Sequence, residues 1–510
     1  MNNLFYPNLT GIVLWRCIMK EVTLGRGMIP GVVPSLAFRR DVSSIVAKRN
    51  PSPSIRASFP VRDLFHALAR SAGDSDTHHA ARKFLDERLV EVAHLESDLP
   101  HDIAALPQWL EERCARVRSD YRAYLADRHA GQQARYFSCR AHALHFLQSM
   151  APSRMVEGAW LYGFLKHWRE ARFAPMCRVY LRNLGDGDPG CNQVSLYQKL
   201  LDRNGCADWH GLDDQYYVQG AIRLALGHHV DHYLPEIIGF NLGYDQVSLP
   251  MLIAAYELSE QGVLPHYFTL HVTEDDAGAT SAMKLLGSLL DTADSAKARE
   301  MLLHRVNNGY KLHRLGLDIP GIVASFDLQK AFLAVMQPCA AYLERVYRID
   351  CMERGIRGRW TDSLPLPLLL QQLCNEGWMH PDEKGKTRLW QVLERGNLLP
   401  APGYPQQVVV NWSARSDEYG KRLPHSDVAD LVPVSPPPVR RPEEAEEHWA
   451  DFNESGSQAD LMEHMIRLLS PLAHHTQEGL KAARIYKSIL EKGSELYSQH
   501  SALFLWHGRV

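Results

Sequence analysis

From residue 107 to about residue 347, apolar side chains recur at three- and four-residue steps, a spacing that buries one face of an α-helix and suits little else. In PQWLEERCARVRSDYRAYLADRHA (107–130) the stripe is Trp109, Leu110, Cys114, Val117, Tyr121 and Leu125. Helical patterns follow at 134–150 and 155–173, separated by Ala151-Pro152-Ser153, with Ser153 as the expected N-cap of the second. More cover about 193–204, 213–226, 233–260, 265–290, 294–314 and 321–347, while NLGDGDPGCN (183–192) reads as a loop. Strand-like alternation is scarce, and QQVVVNW (406–412) is its best candidate. The expected class is all-α.

The chain has 510 residues, room for one large helical domain with extensions or for two to three average domains. Five regions are expected: an extension over 1–104, irregular and then helical; a bundle over 105–345; a mixed helical and loop extension over 346–430; a proline-rich linker over 431–458; and a helical region over 459–510. The linker rests on LVPVSPPPVRRPEEAEEH, which cannot build a packed core. No 20–50-residue repeat marks a solenoid.

A formal net charge of −3 gives no electrostatic reason to expect nucleic acid or an anionic membrane as partner. The nine cysteines are scattered singly with no CxxC pair, as expected of reduced thiols in the cytoplasm. The apolar run at 9–15 is far shorter than the roughly 20 residues that span a bilayer, so no signal or anchor is expected. Histidine is abundant, with 25 residues, and that makes metal binding worth examining.

The stretch HVTEDDAG (271–278) crowds one histidine and three acids into six positions. On a helix, His271 and Asp275 lie about 40° apart, with Gly278 about 20° from His271 and Glu274 on the shoulder of that face. An imidazole and a carboxylate four apart make half of a site for a divalent ion, or else a solvated contact on an exposed face. Two other acids stand among large apolar residues. Glu157 is surrounded by Met155, Val156, Trp160, Leu161 and Phe164, and Glu236 by Leu234, Pro235, Ile237 and Ile238. A buried carboxylate has to be paired, protonated or given a metal. Glu236 after Pro235 also suits the first turn of a helix. Carboxylate and imidazole donors without thiolate suit iron or manganese better than structural zinc.

The phrases EGAWLYGFLKH, LPEIIGFNLGYD and YFTLHVTEDDAG, in that order, resemble the haem-oxygenase-like di-iron oxidases and oxygenases, the iron-containing redox enzymes. The resemblance covers roughly residues 105–345 and implies a seven-helix bundle with extensions at both ends. It also implies Glu157, His167, Glu236, His271 and Asp275 as metal ligands. The family's last histidine falls on Gly278, leaving Glu274 as a substitute ligand, a site for one metal, or a scaffold without the chemistry. His167 lies ten residues from Glu157, about 80° round an ideal helix, and shares its face only if that helix bends. Trp160, His232 and Tyr244 would line the pocket or stand behind the ligands.

The implied protein is a non-haem, O₂-activating oxidoreductase holding two ferrous ions, or one in view of Gly278. Its substrate would be a small amino-acid derivative or a fatty acid, in specialised metabolite biosynthesis, with an electron donor and a homodimer as further partners. The alternative is a helical scaffold with a degenerate metal site, acting as a binding protein. LGDGDPG lacks GxGxxG spacing, and neither a Walker A sequence nor a GxSxG elbow occurs. His142 and His145 form a helical pair beside the expected core.

Overall fold

The computed structural model describes residues 60–70, 75–244, 246, 248–264, 266–268, 277–356, 364–381, 386–399, 403–416 and 458–492. Among these the architecture is all-α, with no strand beyond a single bridge between Pro381 and Thr387. The proline-rich stretch at 431–448 lies outside the described residues.

Numbered along the described chain, the first helices are α1 (Val61–Ala69), α2 (Ser75–Ala93), α3 (Leu106–His129) and α4 (Arg140–Arg154). Next come α5 (Ala174–Asn183), α6 (Gln193–Arg203), α7 (Asp214–His228), α8 (Val230–Tyr244) and α9 (Leu249–Glu260). The bundle continues with α10 (Ala277–Asp291), α11 (Ala296–Leu312) and α12 (Ile319–Ala324). Beyond it lie α13 (Leu328–Met336), α14 (Ala340–Glu353), α15 (Leu366–Asn375), α16 (Arg388–Arg395) and α17 (Tyr404–Ser413). The last pair is α18 (Gln458–Leu468) and α19 (Gln477–Lys492).

One large core joins α1, α2 and α4 to α11 and also takes in Leu461, Met462 and Met465 of α18 and Ala482, Ala483 and Tyr486 of α19. A second core, built on Phe332, Leu343, Leu369, Trp378, Leu393 and Trp412, holds α13 to α17 together. Phe332 and Trp412 stack in it with ring centroids 3.8 Å apart.

The central pair is α8 against α11. A Cβ on Gly239 would stand 1.8 Å from the Val306 carbonyl oxygen, and one on Gly309 would stand 2.0 Å from that of Glu236. Only glycine lets the two backbones approach so closely. Helix α8 is kinked at Tyr233 (φ −116°, ψ 26°), two residues before Pro235, because the proline ring disfavours helical backbone just ahead of it. Glu236 thus begins the straight part of the helix, facing α11.

Three local expectations are corrected. Residues 406–412, read as a strand, lie in α17: Pro405 opens that helix, and the described residues offer the β-branched run no partner strand. Ser153 is not an N-cap but lies inside α4, where its hydroxyl donates to the Met150 carbonyl at 3.0 Å. Pro152 does not break α4, since it removes one hydrogen bond while Ala151, Pro152 and Arg154 are all buried. The third is the stretch 155–173, which is not one α-helix. Gly158 takes φ +76°, and a 3-10 helix then runs over Ala159–His167.

Candidate functional site

Glu157 follows α4 by three residues and is held just before the left-handed turn at Gly158. Its carboxylate is 2% exposed, and two guanidinium groups reach its Oε2. Arg154 Nη1 donates to it at 3.1 Å and Arg223 Nη1 at 3.3 Å, while the Tyr244 hydroxyl donates at 3.0 Å. Arg154 also donates to the Tyr244 oxygen, and Arg223 to the Ser153 carbonyl at 2.6 Å. The Arg223 guanidinium lies 4.1 Å from the Tyr244 ring centre and 5.6 Å from that of Trp160. Trp160 completes the wall, with its ring 4.8 Å from Tyr244 and its indole N–H on Asn241 Oδ1 at 2.9 Å.

Burial pushes the Tyr244 phenol up to about 12, against the opposing pull of Arg154 and Arg223. Tyr267, buried beside the same arginine, is raised further for the same reason. Both hydroxyls are therefore protonated at neutral pH and able to donate. Trp160 and Tyr244 both pack around Glu157.

Glu236 is equally buried but has a different partner. Arg305 of α11 grips it through two parallel bonds, Nε to Oε1 at 2.6 Å and Nη2 to Oε2 at 2.7 Å. The same Nη2 donates to the His232 carbonyl. It is the backbone of His232 that takes part, and its side chain is exposed.

His167 ends the 3-10 helix. Its Nδ1 lies 2.8 Å from Glu170 Oε1 and its Nε2 2.8 Å from Asp231 Oδ1, so both ring nitrogens are engaged by carboxylates away from Glu157. The left-handed turn at Gly158 separates Glu157 from the helix that His167 ends. His142 bonds the Val323 carbonyl at 2.9 Å and stacks on Phe326, and His145 reaches Ser325 at 3.2 Å; both serve the packing of α4. His271, Glu274 and Asp275 lie outside the described residues, whereas Gly278 is buried in α10.

Arg154, Arg223 and Arg305 were not anticipated. Arg223 sits in GAIRLALG, a cation inside an apolar run, the same signal that singled out the two acids. Arg154 stands three residues before Glu157, within reach along the chain.

Glu157 and Glu236 are thus buried carboxylates of the helical bundle, each neutralised by arginine from another turn or helix. Residues 144–310 match the family model described as iron-containing redox enzyme. Over that segment the chain is similar to the family its sequence resembles, and the match supports an iron-dependent redox role. No curated protein and no solved structure matches the chain.

The described residues supply only part of a ligand set for iron. Two carboxylates offer hard oxygen donors, but cations already compensate both, and His167 is turned elsewhere. Among the described residues, no three His, Cys, Asp or Glu side chains converge as metal ligands would. No described helix is long and apolar enough to cross a membrane.

Proposed function

We propose that this chain is a non-haem, iron-dependent oxidoreductase that uses O₂ to oxidise a small amino-acid-derived or fatty-acid-like substrate in a biosynthetic reaction. The observation that carries the reading is the family match over 144–310, which contains every candidate ligand from Glu157 to Asp275. Ligation is proposed for Glu157, His167, Glu236, His271 and Asp275, with Glu274 standing in for the histidine that Gly278 replaces. Ferrous iron would occupy two positions, or one if that replacement leaves a gap. The half-exposed Arg305 is the guanidinium that can swing away from its carboxylate, whereas Arg154 and Arg223 are walled in. Buried Trp160 and Tyr267 and half-buried Tyr244 exclude water, and the two tyrosines offer phenolic donors.

The second reading, a scaffold with a degenerate site acting as a binding protein, is favoured by those same arginines. They give both carboxylates the charge partner that an ion would otherwise supply.

Anaerobic loading with ferrous iron, followed by counting of bound metal and exposure to O₂, separates the two. One or two irons per chain and a transient visible absorption on O₂ are expected. A chain that binds no iron would leave the scaffold.

A further inference from the structure

The 3-10 helix Ala159–His167 is nine residues long, whereas such helices rarely exceed three or four, because their hydrogen bonds are poorly aligned. A segment so weakly held by itself must be fixed by its neighbours. On one side it lies against α7, where a Cβ on Gly227 would stand 2.0 Å from the Ala159 carbonyl oxygen. The other side is covered by the last two helices of the chain, far outside the family segment.

That cover is specific. The buried Tyr486 hydroxyl of α19 donates to the Leu165 carbonyl inside the 3-10 helix at 2.7 Å. From the segment itself, Tyr162 donates to the Ile466 carbonyl of α18 at 3.2 Å. On α5, which packs beside the segment, Tyr180 donates to the Leu469 carbonyl at 2.6 Å. Each bond joins a phenol to a backbone carbonyl across the two parts, so it fixes main-chain position and not merely side-chain packing. Beside Tyr486 in the middle of α19, Arg484 donates to the Gly187 carbonyl at 3.0 Å, and Lys487 pairs with Asp186.

We infer that α18 and α19 form an intrachain clamp that sets the Ala159–His167 segment, and with it the neighbouring Glu157 and Trp160, and that Tyr486 is the positioning residue through which the clamp acts. The bundle of the 144–310 segment is incomplete without residues 458–492, which the sequence presents as a separate region behind a linker. The inference stands on packing; its consequence for iron rests on the proposed function.

The test is amide hydrogen exchange on the full-length chain. Tyr486→Phe keeps the ring and removes the bond to Leu165, and should speed exchange across 159–167 by about fivefold to tenfold, the worth of one buried hydrogen bond. Ser488→Ala, on the same helix, where the hydroxyl donates back to the Arg484 carbonyl within α19 at 3.0 Å, should leave that stretch at the wild-type rate. If Tyr486→Phe does not fold, Tyr162→Phe removes a second bond of the clamp from the segment side and should give the same local effect. Unchanged exchange at 159–167, or a uniform rise over the whole chain, would overturn the clamp. Iron bound per chain, measured on the same samples, should fall with the local change. A wild-type chain that takes up no iron defeats the proposed function and leaves exchange to decide the clamp.

Discussion

Gly309 of α11 lies flat against the backbone of Glu236: a Cβ at 309 would stand 2.4 Å from the Glu236 Cα and 2.0 Å from its carbonyl oxygen. The glycine thereby sets the distance at which Arg305, one turn earlier on the same helix, meets the Glu236 carboxylate. Neither backbone can yield locally, because Gly239 is pressed as tightly on Val306. Gly309→Ala must therefore push α8 and α11 apart, at a cost of about 3 kcal/mol. Thermal unfolding should show a midpoint lower by several degrees, and a midpoint at the wild-type value would show that the helices can slide.

The legible part of this arrangement was burial. Acids placed among Trp160, Phe164, Ile237 and Ile238 pointed to burial with a partner, beside a helix-start reading for Glu236, and both Glu157 and Glu236 are buried and paired. The nature of the partner was not legible, because Arg223 and Arg305 come from helices about 70 residues away in sequence, and nothing local announces the meeting. The helix over 107–130 was readable since its stripe is long, and α3 runs over Leu106–His129. The 3-10 helix was not, since its conformation is imposed by contact with α7 and the last two helices and not by local preference. The same holds for α17, where a β-branched run is helical because it packs against α13.

Removing Arg305 strips the buried Glu236 of its two charge-assisted bonds. Arg305 is itself 39% exposed, so part of the Coulomb term is screened and Arg305→Ala should cost only about 1–3 kcal/mol. Adding Glu236→Gln removes the buried charge and should restore part of that loss. Urea denaturation of the two single variants and the double variant closes the cycle. Strict additivity would mean that the pair is not coupled in solution.

Glu257 of α9 has a structural task that its sequence context did not reveal. Its Oε1 accepts from the Tyr124 hydroxyl at 2.7 Å and the Arg135 N–H at 2.5 Å, and its Oε2 from the Tyr136 and Phe137 N–H groups at 2.8 and 3.0 Å. Four donors around one buried carboxylate fix the turn between α3 and α4. Glu257→Ala leaves those donors unsatisfied and should cost about 3 kcal/mol or more, while Glu257→Gln, which keeps one acceptor, should cost less. Proteolysis under native conditions should begin within 130–138 in the Ala variant. Cleavage elsewhere would argue that the turn is held by other contacts.

Acid should weaken the hold of the C-terminal helices. His474, in the turn between α18 and α19, is fully buried, and its Nδ1 lies 3.1 Å from the Asn192 side-chain amide. Burial, reinforced by the neighbouring His475, holds its pKa down at about 3 against an ordinary 6.5. The unfolded chain therefore binds a proton that the folded chain refuses between those values, and stability falls as pH drops through that window, by about 1 kcal/mol per unit. Protection factors of 458–492, with the intrinsic pH dependence of exchange divided out, should fall from pH 6.5 to 4.5. His474→Gln keeps an acceptor for Asn192 without a titrating group, and should flatten that response. An identical acid response in the variant would place the sensitivity in other histidines.

The last prediction concerns the charge balance around Glu157. Arg223 is 3% exposed and shares the Oε2 oxygen of a carboxylate that is 2% exposed. Such a pair adds little net stability, yet breaking it leaves an uncompensated buried charge. Glu157→Met alone should therefore cost about 3–5 kcal/mol, and Glu157→Met with Arg223→Met should recover much of that loss. If the double variant folds as stably as the wild type, stability does not account for the ion pair, and its presence must be explained by what the site does. Iron uptake then decides between the two proposed roles: the oxidoreductase loses metal in the double variant despite its restored fold, whereas the scaffold shows no metal in either form.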